Sequence, residues 1–240
     1  MTDATAPALP TYEVHDAIAV ITHDDGKANV VSTAVLAELE QLTQRALDDG
    51  ARALVIVGRP GMFSAGFNLN EMTSSSESMR TLVVRGGRWM LNLYGLGLPT
   101  VAACTGHALA GGALILLSCD VRIGANVPSK IGLNEVAIGM GLPRFAVELA
   151  RERLERRAFT DATMEAKVYD AEGAVEAGYL DRLVPAGDVI DVAVAEARRL
   201  AELRTGAYAL TKTNLRGAMI QTQLDAIESD LATVDVPKIS

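Results

Sequence analysis

Residues 99–120 read PTVAACTGHALAGGALILLSCD, a run that can fold in few ways. Thr100–Cys104 is short, apolar and rich in small residues, which predicts a buried strand. Gly106 opens a turn of small residues, and Gly111-Gly112 begin an apolar helix. Two adjacent glycines carry no β-carbons, so another backbone or a ligand can approach them closely. The first amides of a helix have no partners inside it, and the helix dipole makes that end electropositive. Strand, glycine turn and helix start together make a site for an anion or a developing oxyanion. Tight strand–helix packing with no ligand accounts for the same pattern equally well.

A second stretch of the same kind lies upstream. The apolar run Ala53–Gly58 predicts a buried strand, and it leads to Phe63-Ser64-Ala65-Gly66-Phe67-Asn68-Leu69. This is a small-residue loop whose amides are free to point at a ligand. Two such loops can give two backbone donors to one oxygen. FSAGFNL resembles the F-S-A-G-x-D-L motif of the crotonase superfamily, the enoyl-CoA hydratases and isomerases. Residues 99–120 resemble that family's P-x-x-A-x-x-x-G-x-x-x-G-G block, and the likeness runs on through Lys130-Ile131-Gly132-Leu133-Asn134-Glu135.

The chain holds 240 residues, enough for one large domain or a domain with an appendage. With 49% hydrophobic and 4% aromatic residues, its core is expected to be aliphatic and alanine-rich. A net charge of −8 argues against nucleic acid as a partner, since phosphate backbones need a basic surface. Cys104 and Cys119 lie in apolar segments and read as reduced core thiols, which suits a cytoplasmic setting. The start MTDATAPALP lacks the basic and apolar regions of a signal peptide. No apolar run approaches the roughly 18 residues of a membrane span. There is no G-x-G-x-x-G fingerprint and no His/Cys/Asp/Glu cluster with metal-ligand spacing, so neither a nicotinamide cofactor nor a metal is expected.

In chain order, residues 1–10 are expected to be a frayed tail. Val14–Thr22 reads as strand with a turn at Asp16-Ala17, and Asp24–Asn29 is a polar turn cluster. Ser32 is the expected N-cap of a helix carrying Val35, Leu36, Leu39, Leu42 and Leu47 as far as Gly50. The polar run Thr73–Ser78 caps a helix or forms part of a lid, and Met79–Leu93 reads as that helix. Val121–Ala125 and Lys130–Gly132 are short strands. From Arg144 the pattern is helical, broken near Thr160, Gly173, Gly178 and Pro185, with about three more helices after Gly187. Short strands alternating with helices mark an α/β chain.

The resemblance implies a crotonase-like (ClpP/crotonase) fold, a spiral of β-β-α units over residues 1–186. Residues 187–240 would be a C-terminal helical region that packs subunits into a homotrimer or hexamer. It implies an acyl-CoA thioester as substrate and no cofactor beyond that CoA. The oxyanion-hole amides would be those of Phe67 and Gly111. Ala65 would meet the adenine, and the loop of Lys27 and Ala28 the CoA diphosphate. Gly66, Leu69, Trp89 and Leu114 would complete the CoA and acyl contacts. Hydratases of this family use two glutamates. The first of these positions holds Leu114, which cannot move a proton; the second holds Glu135. One carboxylate can take the α proton of a 3-enoyl-CoA and return it at the γ carbon. Asn134 before Glu135 also resembles the isomerases, where hydratases tend to have proline. The expected reaction is therefore isomerisation of 3-enoyl-CoA to trans-2-enoyl-CoA. A weak or altered hydratase and a non-catalytic acyl-CoA-binding scaffold are the alternatives. Asn68 departs from the family's aspartate, and His107 stands where the family tolerates tyrosine or histidine.

Overall fold

The computed structural model describes residues 8–232 and Val234; most of the expected N-terminal tail, residues 1–7, lies outside them. The chain runs β1 (Thr11–His15), β2 (Ile18–His23), β3 (Val30–Val31), α1 (Thr33–Asp48), β4 (Ala53–Gly58), β5 (Gly61–Ser64), β6 (Gly66–Phe67), α2 (Leu69–Met72) and α3 (Ser76–Tyr94). It continues through β7 (Thr100–Cys104), β8 (Gly106–Leu109), α4 (Gly111–Ser118), β9 (Val121–Ala125), β10 (Ile131–Gly132) and α5 (Arg144–Arg153). Then come α6 (Phe159–Thr163), α7 (Ala171–Ala177), β11 (Arg182–Val184), α8 (Val189–Ala201) and α9 (Thr205–Leu231).

The repeated unit is legible in this order. One strand joins a main sheet, the next leaves it for a small second sheet, and a helix returns the chain. The main sheet has the order β1-β2-β4-β7-β9-β11, antiparallel only at the β1–β2 hairpin. Strands β5, β8 and β10 form the small parallel sheet, and β3 pairs with β6. Helices α3, α4 and α5 follow these strand pairs, which is the expected crotonase spiral. The hairpin turns at Asp16 and Ala17, both with positive φ, the geometry that matches the twist of two paired strands.

Side-chain alternation along the main sheet divides the interior in two. Leu54, Ile56, Ala102 and Cys104 face the larger core with α1, α3, α4 and α5. Val55, Val57, Val101 and Ala103 face the other way, onto Val189, Ala193, Ala197 and Leu200 of α8. Central strands covered on both faces must be apolar throughout, as β4 and β7 are. Helix α1 begins at the expected cap, the Ser32 hydroxyl accepting from the Val35 amide. Ser75 caps α3 in the same way, so the polar run before it is a helix start.

Two expectations for the C-terminal half are corrected. Gly173 breaks nothing: it lies inside α7, where its amide donates to the capping Asp170 side chain. Beyond Gly187 the described residues hold two α-helices rather than three. The first, α8, covers the main sheet of its own chain.

Helix α9 is anchored to the head of β7 by an ionic cluster around Asp120. The carboxylate takes Lys212 on one oxygen and Arg216 on the other, both at 2.6 Å, with the Tyr208 hydroxyl at 2.9 Å and the Thr100 amide at 2.9 Å. Burial alone would raise the Asp120 carboxyl, but the two cations outweigh it and hold its pKa below the ordinary value. A carboxyl depressed in this way adds stability above its unfolded pKa and loses it as pH falls through the folded one. Asp120→Ala leaves two cations buried without their partner, which costs about 3–5 kcal/mol. A fall in Tm of roughly 6–20 °C is expected for a chain of this size, measured by calorimetry at pH 7. That difference should shrink as the wild type is taken into acid.

Candidate active site

The site grows from the contact between the Ser64–Phe67 turn and the head of α4. Gly66 has φ +86°, and a β-carbon there would come 2.7 Å from the Gly111 amide nitrogen. A β-carbon on Gly112 would fall onto the Ser64 carbonyl. Glycine is required at both places, and the two backbone segments touch as a result. The Gly111 amide belongs to the first turn of α4, where no carbonyl within the helix can reach it. Asn68 donates its amide to Val31 O at 3.1 Å. Strand alternation therefore turns the Phe67 amide away from β3, and its nitrogen lies 3.4 Å from where a Gly111 β-carbon would be. The two backbone segments thus bring these amides close together beside a cavity that Phe67 and Ala110 line. Ala110 sits between β8 and α4 at φ 49°, ψ −122°, a conformation alanine adopts at a cost of about 1–3 kcal/mol. Its amide is held by Gly132 O at 3.0 Å.

The upstream polar turn braces this wall from behind. Asn29 is fully buried with positive φ, and its side-chain amide donates to the carbonyls of His23, Met62 and Phe63. The Ser64 hydroxyl donates to Asn29 O at 2.7 Å and accepts from the Gly66 amide at 3.1 Å. Ala28 enters only through its carbonyl, which accepts from the Ala65 amide at 2.9 Å.

The cavity measures about 250 Å³ and is lined by Ala65, Phe67, Leu69, Met72, Leu109, Ala110, Asn134, Glu135, Ile138 and Met140. Glu135 is the one ionisable side chain among these. It stands at the start of a single 3-10 turn, Val136–Ile138, after β10 has paired with β8 beside the α4 turn. Only 7% of its surface is exposed, and its Oε2 has no hydrogen-bond partner. Burial among Ile138, Met140 and Leu133 pushes its pKa up to about 7, and a hydrogen bond from its own amide offsets only part of this. Asn134 Oδ1, on the same wall, is also buried without a partner.

Of the residues singled out in the sequence, Ala65, Phe67, Leu69 and Glu135 line the cavity, and Gly66 and Gly111 meet beside it. Lys27 is exposed in the turn behind, its carbonyl bound by Arg59. Trp89 is in the core, its indole donating to Thr43 at 3.2 Å, and does not reach the cavity. Leu114 is also core and does not line it. His107 is structural, its Nδ1 accepting from the Lys130 amide at 2.8 Å. Met72, Leu109 and Ala110 were not foreseen. Met72 follows Leu69 at helical spacing, a signal the sequence did carry; the inverted φ of Ala110 has none. Cys104 and Cys119 are free and buried, their thiols pushed up to about 12 by burial, which leaves them unreactive. Among the described residues no group of three or more His, Cys, Asp or Glu could hold a metal ion, and no helix is long and apolar enough to cross a membrane.

The raised pKa of Glu135 is itself testable as stability. A carboxyl that is more basic when folded binds its proton more tightly in the native state. Native stability therefore falls as pH climbs from the unfolded value, near 4.5, through about 7. Glu135→Gln should accordingly unfold later than wild type at pH 8, by on the order of 3 kcal/mol, and by little at pH 4.5. Denaturant melts at the two pH values measure this, and a variant less stable than wild type at pH 8 would contradict it.

Comparison with known proteins shows what the whole chain is similar to. The family described as enoyl-CoA hydratase/isomerase matches residues 13–235. The chain is 31% identical over 221 residues to human mitochondrial enoyl-CoA delta isomerase 1, covering 87% of this chain and 72% of that protein. It is 35% identical over 151 residues to a probable enoyl-CoA hydratase of Bacillus subtilis, covering 62% of this chain and 57% of that one. A solved enoyl-CoA hydratase/isomerase family protein from Pseudomonas syringae superposes with a TM-score of 0.90 at 37% identity, covering 93% and 97% of the two chains.

Proposed function

Since this chain belongs to the enoyl-CoA hydratase/isomerase family, we propose that it isomerises a 3-enoyl-CoA to the trans-2-enoyl-CoA by a proton shuttle through Glu135. The observation that carries this reading is the single ionisable group among the described residues that line the cavity, with its pKa raised to about 7. A base that must also give its proton back works best when its pKa lies near the operating pH.

In this mechanism the thioester oxygen accepts from the Phe67 and Gly111 amides. Glu135 removes a proton from the α carbon, and the electron pair moves onto that oxygen as a dienolate. The two amides stabilise the charge, each worth about 3 kcal/mol. Glu135 then delivers the proton to the γ carbon, the carbonyl re-forms, and the double bond stands in conjugation with it. Atoms and charge balance without a cofactor beyond the substrate's CoA. The half-buried loop at Ala28 and Ala65 is the proposed CoA side, with Lys27 exposed beside it. Leu210 and Leu215 on α9 are 63% and 75% exposed, which supports the proposed trimer or hexamer by offering apolar surface to a second copy.

One observation favours a second reading, hydration of a 2-enoyl-CoA. Asn134 Oδ1 and Glu135 Oε2 are both buried acceptors without donors, and a water would satisfy both. The two readings separate in one assay pair. Wild type is expected to form conjugated thioester from trans-3-hexenoyl-CoA much faster than it consumes that of crotonyl-CoA. Glu135→Gln should lower the isomerisation rate by roughly 100- to 10,000-fold while leaving the fold intact. Hydration as fast as isomerisation would instead support the hydratase. The isomerisation rate of wild type should rise with pH through about 7, as the carboxyl becomes the carboxylate that can act as base.

A further inference from the structure

Phe67 carries a donor amide, yet its ring occupies a different place. It projects from β6 toward α3 and fills the gap between that helix and the head of α4. A β-carbon on Gly86 of α3 would come 2.5 Å from Phe67 Cζ, and one on Gly111 would come 3.4 Å from Cδ2. Gly86 is buried and serves as a socket for the ring. Its neighbour Gly87 faces another way, against Phe145 and Ile227. Helix α3 therefore runs behind the cavity but, among the described residues, adds nothing to its lining: the Phe67 ring stands between.

The other walls are softer. Met72 and Met140 have flexible thioether side chains that adapt to what they enclose, and Leu69 is half exposed at the open side. The cavity, at about 250 Å³, lies below the ~300–1,000 Å³ usual for ligand pockets. A ring seated on a side-chain-free helix face has no room to retreat.

We propose that the Phe67 ring, seated against Gly86, is the end wall of the acyl pocket and restricts the enzyme to short acyl chains. This rests on the acyl-CoA reading above and adds the substrate class to it. Shortening the ring opens the pocket toward α3; adding a methyl to Gly86 drives the ring into the pocket.

The test compares kcat/KM for trans-3-dodecenoyl-CoA and trans-3-hexenoyl-CoA in wild type, Phe67→Ala, Phe67→Leu and Gly86→Ala. Wild type should prefer the hexenoyl substrate. Because one methylene in an apolar pocket changes rates by about 10- to 200-fold, Phe67→Ala should raise the dodecenoyl-to-hexenoyl ratio by roughly 10-fold or more. Phe67→Leu should raise it by less, and it keeps the test open if the alanine variant does not fold. Gly86→Ala should lower the ratio several-fold. A wild type that turns over both substrates equally, or variants that are active with unchanged ratios, would overturn the end wall and leave the acyl-CoA reading standing. Calorimetry of wild type with hexanoyl-CoA covers the other failure: no binding would overturn the acyl-CoA reading itself, and the end wall with it.

Discussion

Everything at the site depends on how closely two pieces of backbone approach each other. The turn at Ser64–Phe67 and the head of α4 meet where any side chain on Gly66 or Gly112 would collide with main chain. That approach brings the Phe67 and Gly111 amides close together beside the cavity. Neither loop could hold its position alone. The small sheet ties β5 to β8 and β8 to β10, while Asn29 binds three carbonyls from below. The fold thus spends its second sheet on placing one wall of one cavity.

Facing that wall is a carboxyl group in an apolar setting. Its burial costs stability whenever it is ionised, since among the described residues no cation in the cavity lining offsets the charge. The contrast with Asp120 is instructive. Both carboxyls are buried, but Asp120 has Lys212 and Arg216 against its oxygens and is held ionised. Glu135 has an orphaned oxygen and a pKa moved the opposite way. One carboxylate anchors a helix and the other is held without a charged partner, and the difference in their pKa values lies in those partners.

Much of this was legible in the sequence because glycines and strands leave local signatures. The bounds expected for β4 and β7, the cap at Ser32 and the helix opening at Gly111 lie where their neighbours dictate, while Glu135, which the resemblance singled out, lines the cavity. Trp89 and Leu114 show where such reading stops. Each was visibly apolar, but which of two interiors it entered depended on how its helix is rotated, and packing sets that. The Trp89 indole found Thr43 on α1, a partner 46 residues away in sequence. Asn29 and Ala110 owe their roles to positive φ, a property that a polar turn and a small residue do not announce. Gly173 looked like a helix breaker, yet a first-turn position capped by Asp170 tolerates it.

The central claim is that one carboxylate carries the proton from the α to the γ carbon without releasing it to water. The direct measurement is isomerisation of a 3-enoyl-CoA in deuterium oxide, with the product's γ carbon read by NMR or mass spectrometry at single turnover. Because Glu135 is buried and faces an apolar cavity, the account predicts that a substantial share of product carries the substrate's former α proton, not a deuteron, in the newly formed C–H bond at the γ carbon. One deuteron at the γ carbon in every product molecule at the first turnover would contradict it.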